Sequence, residues 1–480
     1  MVDLAGSNGF SRRKFLGTIT GAAALALIGL ERKAYAERAP SEHLVADYIG
    51  RLCYNENPLG PSPAAIEAIR EQAELAHRYP DWFAESLMSA LAAKYNISGN
   101  NIICGSGATE MLRLCAMSFT QPGKNVVVPN PSYSQFPSDA QFFGAAVQNV
   151  NLNRNYVVDL QAMRSRVNSN TTAVCITNPN NPTGTIVDPA QLEDFVDDLP
   201  SGVVTIIDEA YLEYISDRQY PSAIEMVRSG KNVVVVKTFS KVHGLAGARI
   251  GFAVGREARI SSMRTRQYIA TVSRPSLAAA LAALDDDYHV YRTVDLATTA
   301  KEFCFQQFRD MGLEYIPSEA SFFMVDVRRD ADNVRAQLAN LGYYVRTGWG
   351  MTNHLRVSSG IIEEMKGFVV ALSRILLGNA DRLEVGSARF TELFQAAPNP
   401  FNSSTNIRIF LPSMRATRLE VFDIQGRLVR KLVDSLLGAG EYSFTWNGTD
   451  DSGHSVASGT YFYRLIAGDD AITRRMMLIK

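Results

Sequence analysis

Val233-Val234-Val235-Val236-Lys237-Thr238-Phe239-Ser240-Lys241-Val242-His243-Gly244-Leu245-Ala246-Gly247-Ala248-Arg249 runs from four valines into a loop of hydroxyls, cations and glycines. Four consecutive β-branched residues suit a strand covered on both faces, as in a parallel sheet. The same pattern recurs upstream in Val126-Val127-Val128, Ala173-Val174-Cys175-Ile176 and Val203-Val204-Thr205-Ile206-Ile207, with helical patterns such as Pro189–Leu199 between the runs. Strand, helix, strand repetition predicts an α/β domain with a mostly parallel central sheet and right-handed crossovers.

The chemistry gathers just past these strands. Lys241 follows the valine run; such a lysine is ordinarily a solvated surface charge, and the sharper reading is a Schiff-base lysine of lowered pKa. Thr238, Ser240 and Arg249 flank it and are typical phosphate ligands. Cys104-Gly105-Ser106-Gly107-Ala108-Thr109-Glu110 stands between a strand-like Ile102-Ile103 and a helical run. Taken alone it is a tight turn, but its glycines also expose backbone N–H groups at a helix start, which suits a phosphate. Asn178-Pro179-Asn180-Asn181-Pro182-Thr183-Gly184 follows another buried strand, at the sheet edge where α/β proteins bind ligands. Asp208, at the end of Ile206-Ile207-Asp208-Glu209-Ala210-Tyr211, demands a cationic partner, either a structural arginine or a protonated heterocycle nitrogen. A phosphate cradle, a strand-end acid and a lysine on one sheet edge make the kit for pyridoxal phosphate.

With these motifs in order, the chain resembles the fold-type-I pyridoxal-phosphate aminotransferases, and among them the histidinol-phosphate aminotransferase family. Asn55-Glu56-Asn57-Pro58-Leu59-Gly60-Pro61-Ser62-Pro63 is similar to that family's opening, and Arg78-Tyr79-Pro80-Asp81 to its next signature. The resemblance covers residues 50 to 378. It implies a large subdomain over about 79–280 and a smaller α/β subdomain from 37–78 plus 281–378. It implies that Lys241 bonds the cofactor, that Asp208 pairs with the pyridine nitrogen, and that Tyr211 and Asn181 hold the ring's 3-oxygen. Tyr133 is expected to stack on the ring. Ala108, Thr109, Ser240 and Arg249, with Thr238 assisting, are expected to hold the phosphate. Tyr79 is expected to reach the cofactor of the neighbouring subunit, so a homodimer is implied. Arg356, in His354-Leu355-Arg356-Val357, is expected to clamp an anionic group of the substrate, with Asn57 also at the substrate. The activity implied is transfer of an amino group from an amino acid or a histidinol-phosphate-like amine to a 2-oxo acid such as 2-oxoglutarate. No Pro-Tyr-x-Pro-Gly pattern precedes Asn55, so the donor stays open, as do a decarboxylase of the same fold and an exported binding protein without catalysis.

Outside this body the sequence changes character twice. Ser11-Arg12-Arg13-Lys14-Phe15-Leu16, an apolar run to Leu30 and Ala34-Tyr35-Ala36 resemble a twin-arginine (Tat) signal peptide over residues 1–36, too short to span a bilayer and cleaved after Ala36. Export to the periplasm, cell surface or medium is expected. Residues 379–396 read as a linker. From 397 to 480, short strand-like runs (Ile407–Leu411, Arg418–Phe422, Leu428–Leu432, Tyr442–Trp446, Thr460–Leu465) alternate with turns and predict a small all-β sandwich. That tail resembles the Ig-like repeat of the flagellar hook-capping protein and type IX secretion sorting domains, which implies export machinery as a partner.

The 480 residues are 46% hydrophobic and 20% charged, an ordinary globular balance. Lys+Arg 48 against Asp+Glu 49 leaves a net charge of −1, without the basic excess of a nucleic-acid binder. Cys53, Cys104, Cys115, Cys175 and Cys304 show no metal or disulfide spacing and read as buried free thiols; no metal site is expected.

Overall fold

The computed structural model describes residues 49–377 and 391–479, apart from 412, 413, 439 and 469. The segment that resembles a twin-arginine signal, its expected cleavage site and most of the expected linker lie outside the described residues.

The valine run is the third position of a seven-stranded sheet. In chain order the strands are β1 (Ile102–Gly105), β2 (Asn125–Asn130), β3 (Ala146–Asn151), β4 (Thr171–Thr177), β5 (Val204–Asp208), β6 (Val233–Thr238) and β7 (Gly251–Gly255). Their spatial order is β1-β7-β6-β5-β4-β2-β3. All pair in parallel except β7, which runs antiparallel to both β1 and β6. Successive side chains of a strand point to opposite faces. Accordingly Val233 and Val235 enter one core while Val234 and Val236 enter another on the far side of the sheet. Ile207 and Ile206 divide in the same way. A strand clad on both faces needs an unbroken apolar run, which is what the sequence shows.

The helices start on side-chain caps. Ser62, Asp188 and Ser273 each accept a backbone N–H three residues on, and each is followed within two residues by a proline in the first turn. The helix Pro63–Ala73 was expected with the small subdomain, but it packs on the large-sheet core through Ala65, which shares that core with Leu277 and Ala280. Its apolar face is completed by large-sheet residues, and this sets its allegiance rather than its place in the chain.

The small subdomain holds an antiparallel sheet of β8 (Tyr315–Ile316), β9 (Phe322–Asp326) and β10 (His354–Ser358), in order β10-β9-β8. Its core joins Leu52, Phe308, Phe323, Leu355 and Phe368. Gly50–Arg51 pairs in parallel with Tyr343–Tyr344, so the first described residues belong to this body.

The tail forms two sheets, β11 (Glu392–Leu393) with β12 (Thr405–Leu411) and β15 (Gly440–Trp446), and β13 (Arg415–Phe422) with β14 (Leu428–Leu437), β16 (Gly459–Ala467) and β17 (Asp470–Leu478). Trp446, Tyr463, Leu419 and Ile407 lie in their shared core. The β domain begins by Thr391, earlier than the expected 397, because Leu393 pairs with Ile409 and Ala396 is buried in that core. All five cysteines are buried free thiols.

Candidate active site

Three loops leave one edge of the sheet together. Thr177, Asp208 and Val236 stand in register across β4, β5 and β6, so the segments after them emerge side by side. Thr238 is paired with Gly251, and Gly251 with Gly105, which brings the helix beginning at Gly107 beside the Lys241 loop. The crossing of β7 therefore joins the glycine turn to the lysine loop.

That junction is an anion cradle. Gly107 has φ +81°, and a Cβ there would lie 2.6 Å from Arg249 Nη2. A Cβ on Gly251 would lie 2.7 Å from the Ala108 nitrogen. Only glycine keeps both approaches open. The helix Gly107–Phe119 has no side-chain cap from Ser106, so its first N–H groups, among them those of Ala108 and Thr109, remain available to an anion. Thr238 Oγ1 donates to Ser240 Oγ at 2.9 Å, and Arg249 Nη1 donates to the same oxygen at 3.4 Å.

Two consecutive acids, Asp208 at the end of β5 and Glu209 just past it, differ in their partners. Glu209 meets Lys237 Nζ at 3.3 Å and accepts from the Ser222 hydroxyl and the Ala223 amide. Asp208 is 2% exposed and accepts from the Ala210 amide at 3.1 Å; among the described residues no side-chain cation lies within ion-pair distance of it. Burial lifts its pKa to about 6, with the Ala210 amide and the more distant Lys241 opposing. A buried carboxylate lacking a cation of its own fits a protonated ring nitrogen. Lys241 Nζ donates to the Tyr54 carbonyl at 3.0 Å and lies 5.6 Å from the centre of the Tyr211 ring. Burial lowers its pKa to about 8, helped by the positive charge of Arg356.

The far end of the site is a buried cation. Arg356 is 2% exposed, donates to Asn181 Oδ1 at 2.7 Å and to the Cys53 carbonyl at 2.6 Å, and its Nε has no partner among the described residues. Both partners are neutral. Its guanidinium lies 5.0 Å from the Trp349 ring centre, and Arg346 lies 5.5 Å from the same ring. Tyr211 is locked edge-on against Phe322 at 4.9 Å. Half-buried Tyr133 has its hydroxyl pKa raised by burial and then by the charge of nearby Asp208.

Residues 49–372 match the family model of aminotransferase class I and II. The chain belongs to that family. The aminotransferase is 38% identical over 355 residues to the histidinol-phosphate aminotransferase of Moorella thermoacetica, covering 72% of this chain and 92% of the relative. It is 37% identical over 328 residues to that of Caldicellulosiruptor saccharolyticus, covering 68% and 91%. The crystal structure of histidinol-phosphate aminotransferase from Sinorhizobium meliloti in complex with pyridoxal-5'-phosphate superposes with a TM-score of 0.65 at 27% identity, over 77% of this chain and 99% of that one. The cofactor of this aminotransferase is pyridoxal 5'-phosphate, and the cradle, the cation-free Asp208 and Lys241 fit it. Residues 402–470 match the FlgD Ig-like domain.

Most of the expected residues of the aminotransferase converge, but two stand apart. Asn57 spends its amide on the Val242 carbonyl and on Thr293 Oγ1, each at 2.9 Å, while its Oδ1 takes the Leu59 amide. It fastens the Lys241 loop to the helix Asp287–Asp310 rather than facing the substrate end. Tyr79 is 82% exposed. Asn55, Ser358, Arg346 and Trp349 also stand at this site, although no motif singles them out in the sequence. Ser358 was within reach, since it stands two residues past Arg356 on a strand and shares its face.

Proposed function

We propose that this aminotransferase moves an amino group from a small amine with an anionic end, histidinol phosphate or an α-amino acid, to a 2-oxo acid such as 2-oxoglutarate. The observation that carries this reading is Arg356, a buried guanidinium that among the described residues has only neutral partners and an Nε without one. Removing such a charge from water without a counterion is costly, so the substrate supplies the anion. A second guanidinium, Arg346, on the same indole favours a phosphate, which offers more charge and more acceptors than a carboxylate. The relatives named as histidinol-phosphate aminotransferases support the same donor.

Bound pyridoxal 5'-phosphate supplies an electrophilic carbon and a ring that withdraws electrons from the carbon bearing the donor nitrogen. Asp208, when anionic, would pair with the ring nitrogen and keep it protonated. Asn181 and Tyr211 would hold the 3-oxygen, Tyr133 would lie against the ring, and Ala108, Thr109, Ser240 and Arg249 would hold the phosphate, with Thr238 bracing Ser240. Arg356 and Arg346 fix the anionic end of the donor. With that end fixed, the donor's α-hydrogen would be presented to Lys241 Nζ. With a pKa lowered to about 8, Lys241 is partly neutral near neutral pH and accepts the proton as general base.

Exposed Tyr79, Trp82 and Tyr268 support a homodimer, since large aromatic side chains left in water suit an interface; the Ala270 amide donates to the Trp82 carbonyl and brings the Tyr268 segment beside Trp82. The twin-arginine segment supports export, and the Ig-like tail supports a sorting role after it.

The donor reading is tested by steady-state kinetics with histidinol phosphate and with histidinol. We expect kcat/KM to favour the phosphorylated donor by about 10-fold or more, and Arg356→Ala to erase most of that preference, consistent with loss of a charge-assisted pair. Equal kcat/KM for the two donors in the wild-type enzyme would contradict it.

A further inference from the structure

Asn55 has an unusual backbone for a residue with a side chain, φ +55°, and is 1% exposed. Its amide N–H donates to Ser358 Oγ at 2.8 Å, and Ser358 Oγ donates back to Asn55 Oδ1 at 2.8 Å. The other end of the same side chain, Nδ2, donates to the Tyr211 hydroxyl oxygen at 3.0 Å. Ser358 and Tyr211 are 2% and 4% exposed, so solvent has little access to either group.

We propose that Asn55, oriented by Ser358, is a positioning residue that fixes the Tyr211 hydroxyl as a donor toward the cofactor's 3-oxygen. This rests on the reading that Tyr211 meets that oxygen.

The direction follows from counting protons. Ser358 has one hydroxyl hydrogen, and Asn55 Oδ1 takes it. The amide is thereby set with Nδ2 toward Tyr211. A tyrosine oxygen has a single hydrogen. Since it accepts from Asn55, that hydrogen is left to point elsewhere, into the site. The edge-on packing against Phe322 holds the ring while the hydrogen is directed. The chain of bonds begins two residues beyond Arg356 on β10, so one strand carries both the anion clamp and the group that orients Tyr211.

The residue type is narrowly determined. A left-handed backbone admits glycine, asparagine and aspartate most readily. Glycine lacks the side chain, and an aspartate carboxylate only accepts. Asparagine alone both takes the serine hydrogen and gives one to the tyrosine. In Asn55→Asp the Tyr211 hydroxyl turns to donate to the carboxylate, and the 3-oxygen loses one of its two donors, keeping Asn181. Negative charge then stays on that oxygen, and the lysine-bound cofactor nitrogen holds its proton to higher pH.

The test is a pH titration of the visible absorption band of the cofactor-loaded enzyme in wild type, Asn55→Asp, Tyr211→Phe and the double variant. We expect Asn55→Asp and Tyr211→Phe each to raise the midpoint by about half a pH unit or more, the size of one hydrogen bond. We expect the Asn55→Asp shift to vanish in the Tyr211→Phe background, because it acts through the hydroxyl. Asn55→Asp should lower kcat with little change in KM. Ser358→Ala, which frees the amide to turn, gives the same sign with a smaller shift and stands in if Asn55→Asp fails to fold. An Asn55→Asp shift of equal size with and without the hydroxyl is the direct effect of the added negative charge on the protonated nitrogen and overturns the proposal. An unchanged midpoint in Tyr211→Phe instead overturns the reading of Tyr211 itself.

Discussion

Burial raises Asp208 from an ordinary 3.8 to about 6, and among the described residues no ion pair draws it back, Lys241 and Lys237 opposing only from a distance. A carboxyl whose folded pKa is raised favours the fold in its protonated form. That contribution is full below about pH 4 and is lost as pH rises through about 6, amounting to roughly 3 kcal/mol. The cofactor-free enzyme is therefore under strain from this residue at pH 8. Asp208→Asn, without cofactor, is expected to melt higher than wild type at pH 8 by an amount equivalent to about 2 kcal/mol, with the gap closing toward pH 4. The same variant should lose most of its turnover. A cofactor-free Asp208→Asn that melts lower at pH 8 would contradict this electrostatic picture. Residues of this kind were legible because a charge at the end of an apolar strand is conspicuous. Asn55 and Asn57 were not separable, since the sequence Asn-Glu-Asn-Pro does not reveal which asparagine takes the left-handed backbone. Arg346 was hidden because it lies in an irregular segment with no periodic pattern to place it.

The cradle belongs to the scale of elements, where β1, β7 and the helix Gly107–Phe119 approach more closely than side chains allow. Gly251→Ala introduces a carbon 2.7 Å from the Ala108 nitrogen and 2.7 Å from the Gly107 carbonyl carbon, both backbone atoms that cannot turn aside. We expect this variant to weaken pyridoxal 5'-phosphate binding by about 10-fold or more, with stability falling by about 1–3 kcal/mol. Equilibrium titration of the cofactor and thermal melting check both; unchanged affinity would show that the helix start does not hold the phosphate. The interior strands were readable from unbroken apolar runs. The edge strand Ala146–Asn151 was not, because Gln148 and Asn149, one on each face, interrupt the apolar run. The reversal of β7 has no local signature either, since a two-sided apolar strand looks alike in both directions.

For the molecule as a whole, the catalytic body and the Ig-like tail have separate hydrophobic cores. A chain ended at Leu377 is expected to keep its kcat within about twofold, as independent domains do; a loss of turnover on truncation would mean that the tail completes the site. Composition and the ordered motifs made the two-part organisation legible, but boundaries shifted where packing overrode chain order, at Pro63–Ala73 and at Thr391. The central claim is amino-group transfer through Lys241, and the cofactor spectrum tests it most directly. Residues 37–480 would be loaded with pyridoxal 5'-phosphate, and the visible band followed as histidinol phosphate and amino acids are added one at a time. The expected result is conversion to the pyridoxamine form by at least one donor and recovery of the band on adding 2-oxoglutarate or another 2-oxo acid. In Lys241→Ala both are lost, with turnover down by about 10³-fold or more. A wild-type protein whose band never converts with any donor, or a Lys241→Ala protein that still cycles, would contradict it.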